Sequence, residues 1–188
     1  MAGDAQATQR RLLEAAAQEF AARGIAGARV DRIAEVAGCN KAQIYHYFGS
    51  KDQLFDAVFN NLVASTLREV PIDVTDLPEY AGRLFDRYEQ HPQVPRLATW
   101  YRLERADTHA PLEAIVKSNR DKVDAIARAQ QSGDLPSHFA AADLLALMLA
   151  LAAMWTSTTP EFTELIAGHT AADRRRVITD AVAAVLAR

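Results

Sequence analysis

A single cysteine, Cys39, stands among the 188 residues, which excludes an internal disulfide and removes any need for an oxidising compartment; the expected address is the cytoplasm. Glycine and proline are scarce, at 8 and 7 residues. Alanine and leucine dominate over valine and isoleucine, and such side chains lose little rotamer freedom in a helix, so helices are favoured over strands. No apolar run approaches the roughly 20 residues that a membrane-spanning helix needs. The longest, LLALMLALAAMW from Leu144 to Trp155, stops at 12 residues directly after Asp143 and reads as a buried helix. No membrane partner is expected, and the opening MAGDAQATQRRLLEAAAQEF shows no basic flank leading into an apolar stretch, so no signal peptide is expected either.

Catalytic signatures are missing as well. There is no GxSxG, Walker loop, Rossmann glycine pattern, HExxH or Cys-His cluster, which leaves no enzymatic chemistry to assign and no cofactor to expect. His91, His109, His138 and His169 are scattered without metal-ligand spacing. A large basic excess is absent too: the net charge is -3, against a purely nonspecific polyanion binder. Its distribution is uneven, however. Between Arg29 and Lys51 four basic residues face two acidic ones, whereas residues 61 to 188 hold 14 basic and 17 acidic. Any polyanion contact belongs near the N-terminus.

What is present is helical periodicity in a chain that is 49% hydrophobic and 24% charged. Leu12, Leu13, Ala16, Ala17 and Phe20 recur at spacings of three and four, giving an amphipathic helix over Thr8 to Arg23. Gly24 is expected to close it in the left-handed conformation, with Ile25 packing back on Phe20. A short second helix carries Val30, Ile33, Ala34 and Ala37 and stops at Gly38. Gly38-Cys39-Asn40 is a tight turn, and Asn40 is a good N-cap for a third helix from Lys41. On that helix Ile44 and Phe48 point to the core. Ala42, Gln43 and His46 point outward, Tyr45 and Tyr47 lie on the flanks and Lys41 sits in the first turn. Ser50 and Gln53 form a capping box for a fourth helix, with Leu54, Phe55, Val58, Phe59 and Leu62 buried, which must stop by Val70 because Pro71 follows. A loop from Pro71 to Pro78 precedes helical patterns at about Glu79 to Gln90, Val94 to Ala106, Leu112 to Gln131, Phe139 to Thr156 and Ala171 to Ala187, the last capped by Thr170 and Asp173.

Two short helices joined by a three-residue turn have the dimensions of a helix-turn-helix, whose second helix enters the DNA major groove. Lys41, Gln43, Tyr45, His46 and Tyr47 supply phosphate partners, base-edge donors and acceptors, and flat apolar surface for thymine methyls. The segment Gly24 to Phe59 resembles the signature of the TetR (tetracycline repressor) family, through Ile33, Ala34, Ala37, Gly38, Tyr45, His46, Tyr47, Phe48, Ser50, Lys51 and Leu54. The resemblance covers about the first third of the chain. It implies DNA contacts by Lys41, Ala42, Gln43, Tyr45, His46 and Tyr47, and a backbone-phosphate contact by Lys51. Ala28-Arg29 replaces the hydroxyl residue usual before the second helix, so Arg29 is expected to serve phosphate instead. Cys39 is expected to pack as a small hydrophobe.

The expected architecture is therefore all-α, with a three-helix helix-turn-helix DNA-binding domain over residues 1–50. A helical effector-binding and dimerisation domain follows over 51–188, and the fourth helix is a rigid lever connecting the two. Candidate ligand-lining residues are Tyr88, Trp100, Tyr101, Met148 and Trp155. The run ending at Trp155 is apolar all round and requires burial on two sides, so it and the last helix are expected to form a homodimer interface through Leu145, Met148, Val177, Ile178, Val182 and Val185, as the resemblance also implies. The expected function is a regulator, in the family's commoner mode a repressor, that binds a palindromic double-stranded DNA operator as a dimer and is released by a small-molecule effector. The alternative is a helix-turn-helix protein that binds DNA constitutively.

Overall fold

The computed structural model describes residues 2–105 and 111–187, with side chains from residue 5 onward; the expected end of a helix at Ala106, and His109, lie outside them. The described residues form α1 (Ala2–Gly27), α2 (Val30–Ala37), α3 (Lys41–Phe48), α4 (Lys51–Glu69), α5 (Leu77–Gln90), α6 (Gln93–Arg105), α7 (Glu113–Ser132), α8 (Ala141–Ala153), a 3-10 turn (Met154–Ser157), α9 (Pro160–Leu165) and α10 (Ala171–Leu186). The all-α expectation holds. No helix among the described residues is long and apolar enough to cross a membrane.

Two compact units divide the chain. The first takes the residues up to Ser65 together with Gln93–Ile115; the second takes Thr66–Pro92 together with the residues from Val116 onward. In the first, Leu12, Phe20, Ile33, Ile44, Leu54, Phe55 and Leu97 are fully buried in one cluster, each contributing about 1.5 to 3 kcal/mol by leaving water. Phe20 meets Phe55 edge-on at 5.3 Å between ring centroids. In the second, Leu77, Phe85, Ile126, Leu144, Met148, Ile178 and Val182 make the core. There α10 lies close on α5: Arg175 spans Glu79 at 2.6 Å and Asp86 at 2.9 Å, and a Cβ on Gly82 would stand 2.9 Å from the Arg175 guanidinium carbon.

Local capping rules account for the boundaries that the sequence announces. Gly38 is left-handed (φ 65°, ψ 40°), and its N–H donates to Ala34 and Glu35. Asn40 Oδ1 accepts from the Gln43 N–H at 2.9 Å, Ser50 Oγ from the Gln53 N–H at 3.1 Å, and Thr170 and Asp173 cap α10 reciprocally. Three expectations need correction. α1 begins at Ala2, and although Gly24 has a positive φ of 75°, its ψ of 179° kinks the helix, which resumes to Gly27; the Glu104 carboxylate accepts from the N–H groups of Ile25 and Ala26 at 3.2 and 2.8 Å, in place of a Schellman closure. α8 ends at Ala153 and tightens into the 3-10 turn. The sequence reading also passed over α9, a six-residue helix capped by Thr159, whose hydroxyl accepts from the Phe162 N–H, with Pro160 in its first turn.

Candidate nucleic-acid interface

The recognition surface is assembled wholly within the first unit. Ile44, fully buried, pins α3 to the core, and the Asn40 cap fixes where the helix begins. Lys41, Ala42, Tyr45 and His46 are exposed, Tyr45 at 43%. Gln43 is half-buried and has a second duty: its side-chain oxygen accepts from the Asn40 N–H at 3.1 Å, completing the capping box. Its amide hydrogens remain available as donors. Tyr47 packs partly against the core with its ring 5.4 Å from that of His46, so it borders the surface rather than crowning it.

Two of the three basic residues expected on this surface, Lys41 and Lys51, already have partners for their charged groups. Lys41 Nζ lies 3.0 Å from Asp31 Oδ1 on α2, and that carboxylate, through its hydrogen bond and its charge, raises the lysine pKa. Arg29 occupies the N-cap of α2 without a side-chain cap; its N–H donates to Glu19 Oε1 at 3.2 Å while the exposed guanidinium is left to solvent-side anions. Lys51 is half-buried, and its ammonium donates to the carbonyl oxygens of Ala26 at 3.0 Å and Ala28 at 3.3 Å. Two of its three hydrogens thus secure the turn between α1 and α2, and one remains available. Cys39, half-buried, packs against the first core; burial raises its thiol pKa, which suits packing rather than nucleophilic chemistry.

Two residues that sequence reasoning missed hold this surface from behind. Arg105, at the end of α6 and only 3% exposed, pairs with Asp52 at 2.8 Å and with Asp56, donates to the Asp52 carbonyl at 3.2 Å, and lies 4.7 Å over the Phe55 ring. Its neighbour Glu104 caps the kink in α1. Nothing local in the sequence marks either, because their partners are 49 to 79 residues away.

The candidate ligand residues fall in both units. Trp100 donates from Nε1 to the Ala21 carbonyl at 3.3 Å. Tyr101 lies parallel to Phe55 at 6.4 Å between centroids and tilts against Phe59 at 5.1 Å. In the second unit Met148 is fully buried, Trp155 Nε1 donates to the Arg174 carbonyl at 3.2 Å, and Tyr88 packs beside Val70, Tyr80, Leu84 and Ala152. Of the candidate interface residues, Leu145, Met148, Ile178 and Val182 are buried in the second core, Val185 is half-buried against it, and Val177 is 40% exposed. Other apolar side chains of the second unit are exposed as well: Leu147 on α8, and Phe162 and Leu165 on α9, are 37%, 46% and 79% exposed.

This arrangement defines a helix-turn-helix DNA-binding protein. Residues 12–58 match the family pattern described as "Bacterial regulatory proteins, tetR family", and residues 76–184 match "Tetracyclin repressor-like, C-terminal domain". The HTH-type transcriptional repressor SCO4008 of Streptomyces coelicolor is 38% identical over 168 residues, 89% of this chain and 87% of its own length. The crystal structure of the transcriptional regulator SCO4942 from the same species is 37% identical and superposes with a TM-score of 0.85 over 96% of this chain and 99% of that one. The transcriptional regulator FadR of Bacillus subtilis, solved in complex with stearoyl-CoA, shares the fold at 13% identity and a TM-score of 0.67, over 92% of this chain and 96% of its own. The chain belongs to the TetR family of helix-turn-helix transcriptional regulators, proteins that act by binding DNA and not by catalysis.

Proposed function

We propose that this regulator is a cytoplasmic repressor that binds an inverted-repeat operator as a two-fold dimer and leaves it when a small-molecule effector binds the helices outside the DNA surface. The observation that carries the DNA reading is the outward face of α3, where Lys41, Ala42, Tyr45 and His46 stand exposed on a helix fixed by Ile44 and by a reciprocal cap. Base edges fall to Gln43 and His46, thymine methyls and sugar to Ala42, Tyr45 and Tyr47, and phosphates to Arg29, Lys41 and the remaining hydrogen of Lys51. Dimerisation is supported by the exposed apolar side chains Leu147 on α8 and Val177 on α10, with Ala146, Ala150 and Ala184 exposed on the same two helices. A second copy covering them completes the two-sided burial that α8 requires. α4, unbroken from Lys51 to Glu69, is the route by which effector binding alters the spacing of paired recognition helices. Selection of binding sites from random DNA, paired with sedimentation at micromolar concentration, tests this: an inverted repeat and a dimer are expected, and a lone asymmetric half-site or a clean monomer overturns it.

A further inference from the structure

α7 buries one stripe, on which Ser118, Ile126 and Ala129 are 6%, 0% and 6% exposed. Lys122 stands on that same stripe, one helical turn after Ser118 and one before Ile126, and is half-buried. Its ammonium donates to Ser118 Oγ at 3.0 Å, and among the described residues no carboxylate pairs with it. Burial alone pulls its pKa below the ordinary lysine value. The same helix shows the alternative: Lys117, on the solvent side, is paired with Asp121 at 2.7 Å. So the exposed lysine, which has water, also has an anion, and the half-buried one, which needs an anion more, has a hydroxyl.

A cation withdrawn from water without a counter-charge destabilises the fold, and a leucine or methionine would fill this stripe without that cost. A serine oxygen satisfies one ammonium hydrogen and leaves two. Because Ser118 accepts from the lysine, its own hydroxyl hydrogen is left to donate, beside the remaining hydrogens of the ammonium. We propose that Ser118 and Lys122 form the anion-receiving corner of the effector site, and that the effector is an organic carboxylate with an apolar tail. This rests on the effector-responsive reading above and adds the chemical class of the ligand.

Calorimetric titration of the full-length protein, without DNA, tests it with octanoate, 1-octanol and octylamine as matched probes. Octanoate is expected to bind once per chain and roughly tenfold more tightly than octanol, as a charge-assisted contact requires. Lys122→Met, which keeps the bulk of the stem, is expected to erase that preference, and Lys122→Arg to retain it. The methionine variant without ligand is expected to melt at a higher temperature than wild type, because the uncompensated charge is gone. Wild type that binds octanoate no better than octanol or octylamine, or not at all, overturns the proposal. So does a methionine variant that keeps the preference, or one that melts lower, which marks a packing lysine. Failure here removes the anion site only; the effector-responsive reading stands or falls on ligand-driven release from the selected operator, measured separately.

Discussion

The end of α6 and the middle of α7 each withdraw a cation from water, and the chain treats the two in opposite ways. Arg105, in the first unit, has two aspartates, a backbone carbonyl and an aromatic face arranged around it. Lys122, in the second, has one serine. A guanidinium with planar donors and matched carboxylates is a structural part, since both of its terminal nitrogens are answered inside the chain. The ammonium, left with spare donors, is the one that the proposal above makes a receptor part. The contrast extends to the cations of the candidate DNA surface: Lys41 has Asp31 and Lys51 has two carbonyls, so this surface is also held in order before DNA arrives, and a phosphate must exchange with, or add to, what is already there.

Removing the best-partnered cation is expected to have the largest effect. Arg105→Ala strands Asp52 and Asp56 and frees the start of α4 from the end of α6; the loss is about 2 to 4 kcal/mol, towards the lower end because Asp52 keeps 58% exposure. The urea midpoint checks it, and a change under about 0.5 kcal/mol, the range of ordinary surface substitutions, would mean that the pairing is ornamental. A smaller effect is expected at Lys51. Lys51→Ala removes two hydrogen bonds to the turn between α1 and α2, costing about 1 kcal/mol, and also one phosphate contact, so the logarithmic salt dependence of DNA binding becomes shallower by about 0.9 per protomer. An unchanged slope with lowered stability would assign Lys51 to structure alone. The smallest effect is expected at Asp31. Asp31→Asn frees Lys41 and takes a negative charge off the DNA side, so affinity for operator and for random DNA rises by similar small factors and the ratio of the two stays constant. A gain confined to the operator would instead make Asp31 a reader of bases.

The helix-turn-helix was legible because its signals are local. Gly38, Asn40 and Ser50 each act within a few residues, and the structure uses each of them as a cap. The support behind it was illegible because Glu104 and Arg105 reach partners across the fold, and no spacing rule encodes that. α8 fails for another reason. A helix apolar all round has no periodicity to separate inside from outside, so Leu145 and Met148 looked no more inward than Leu147, yet the first two are buried and the third is 37% exposed. At the DNA surface the residue types were readable but not their double duties. A wheel presents Gln43 as outward and does not show its oxygen closing a cap, nor the Lys51 ammonium bent onto the preceding turn.

The half-buried thiol of Cys39, the single cysteine of the chain, has a practical consequence. It sits in the turn that leads into α3, so the proposed dimer would carry two identical native attachment points for a nitroxide, one beside each α3, with nothing to mutate away. Because burial raises the thiol pKa, labelling calls for alkaline conditions. Pulsed electron resonance between the two labels then acts as a ruler for the opening and closing of the dimer: a separation near one duplex turn, about 34 Å, on the operator, and a displaced or broadened distribution once an inducer is added.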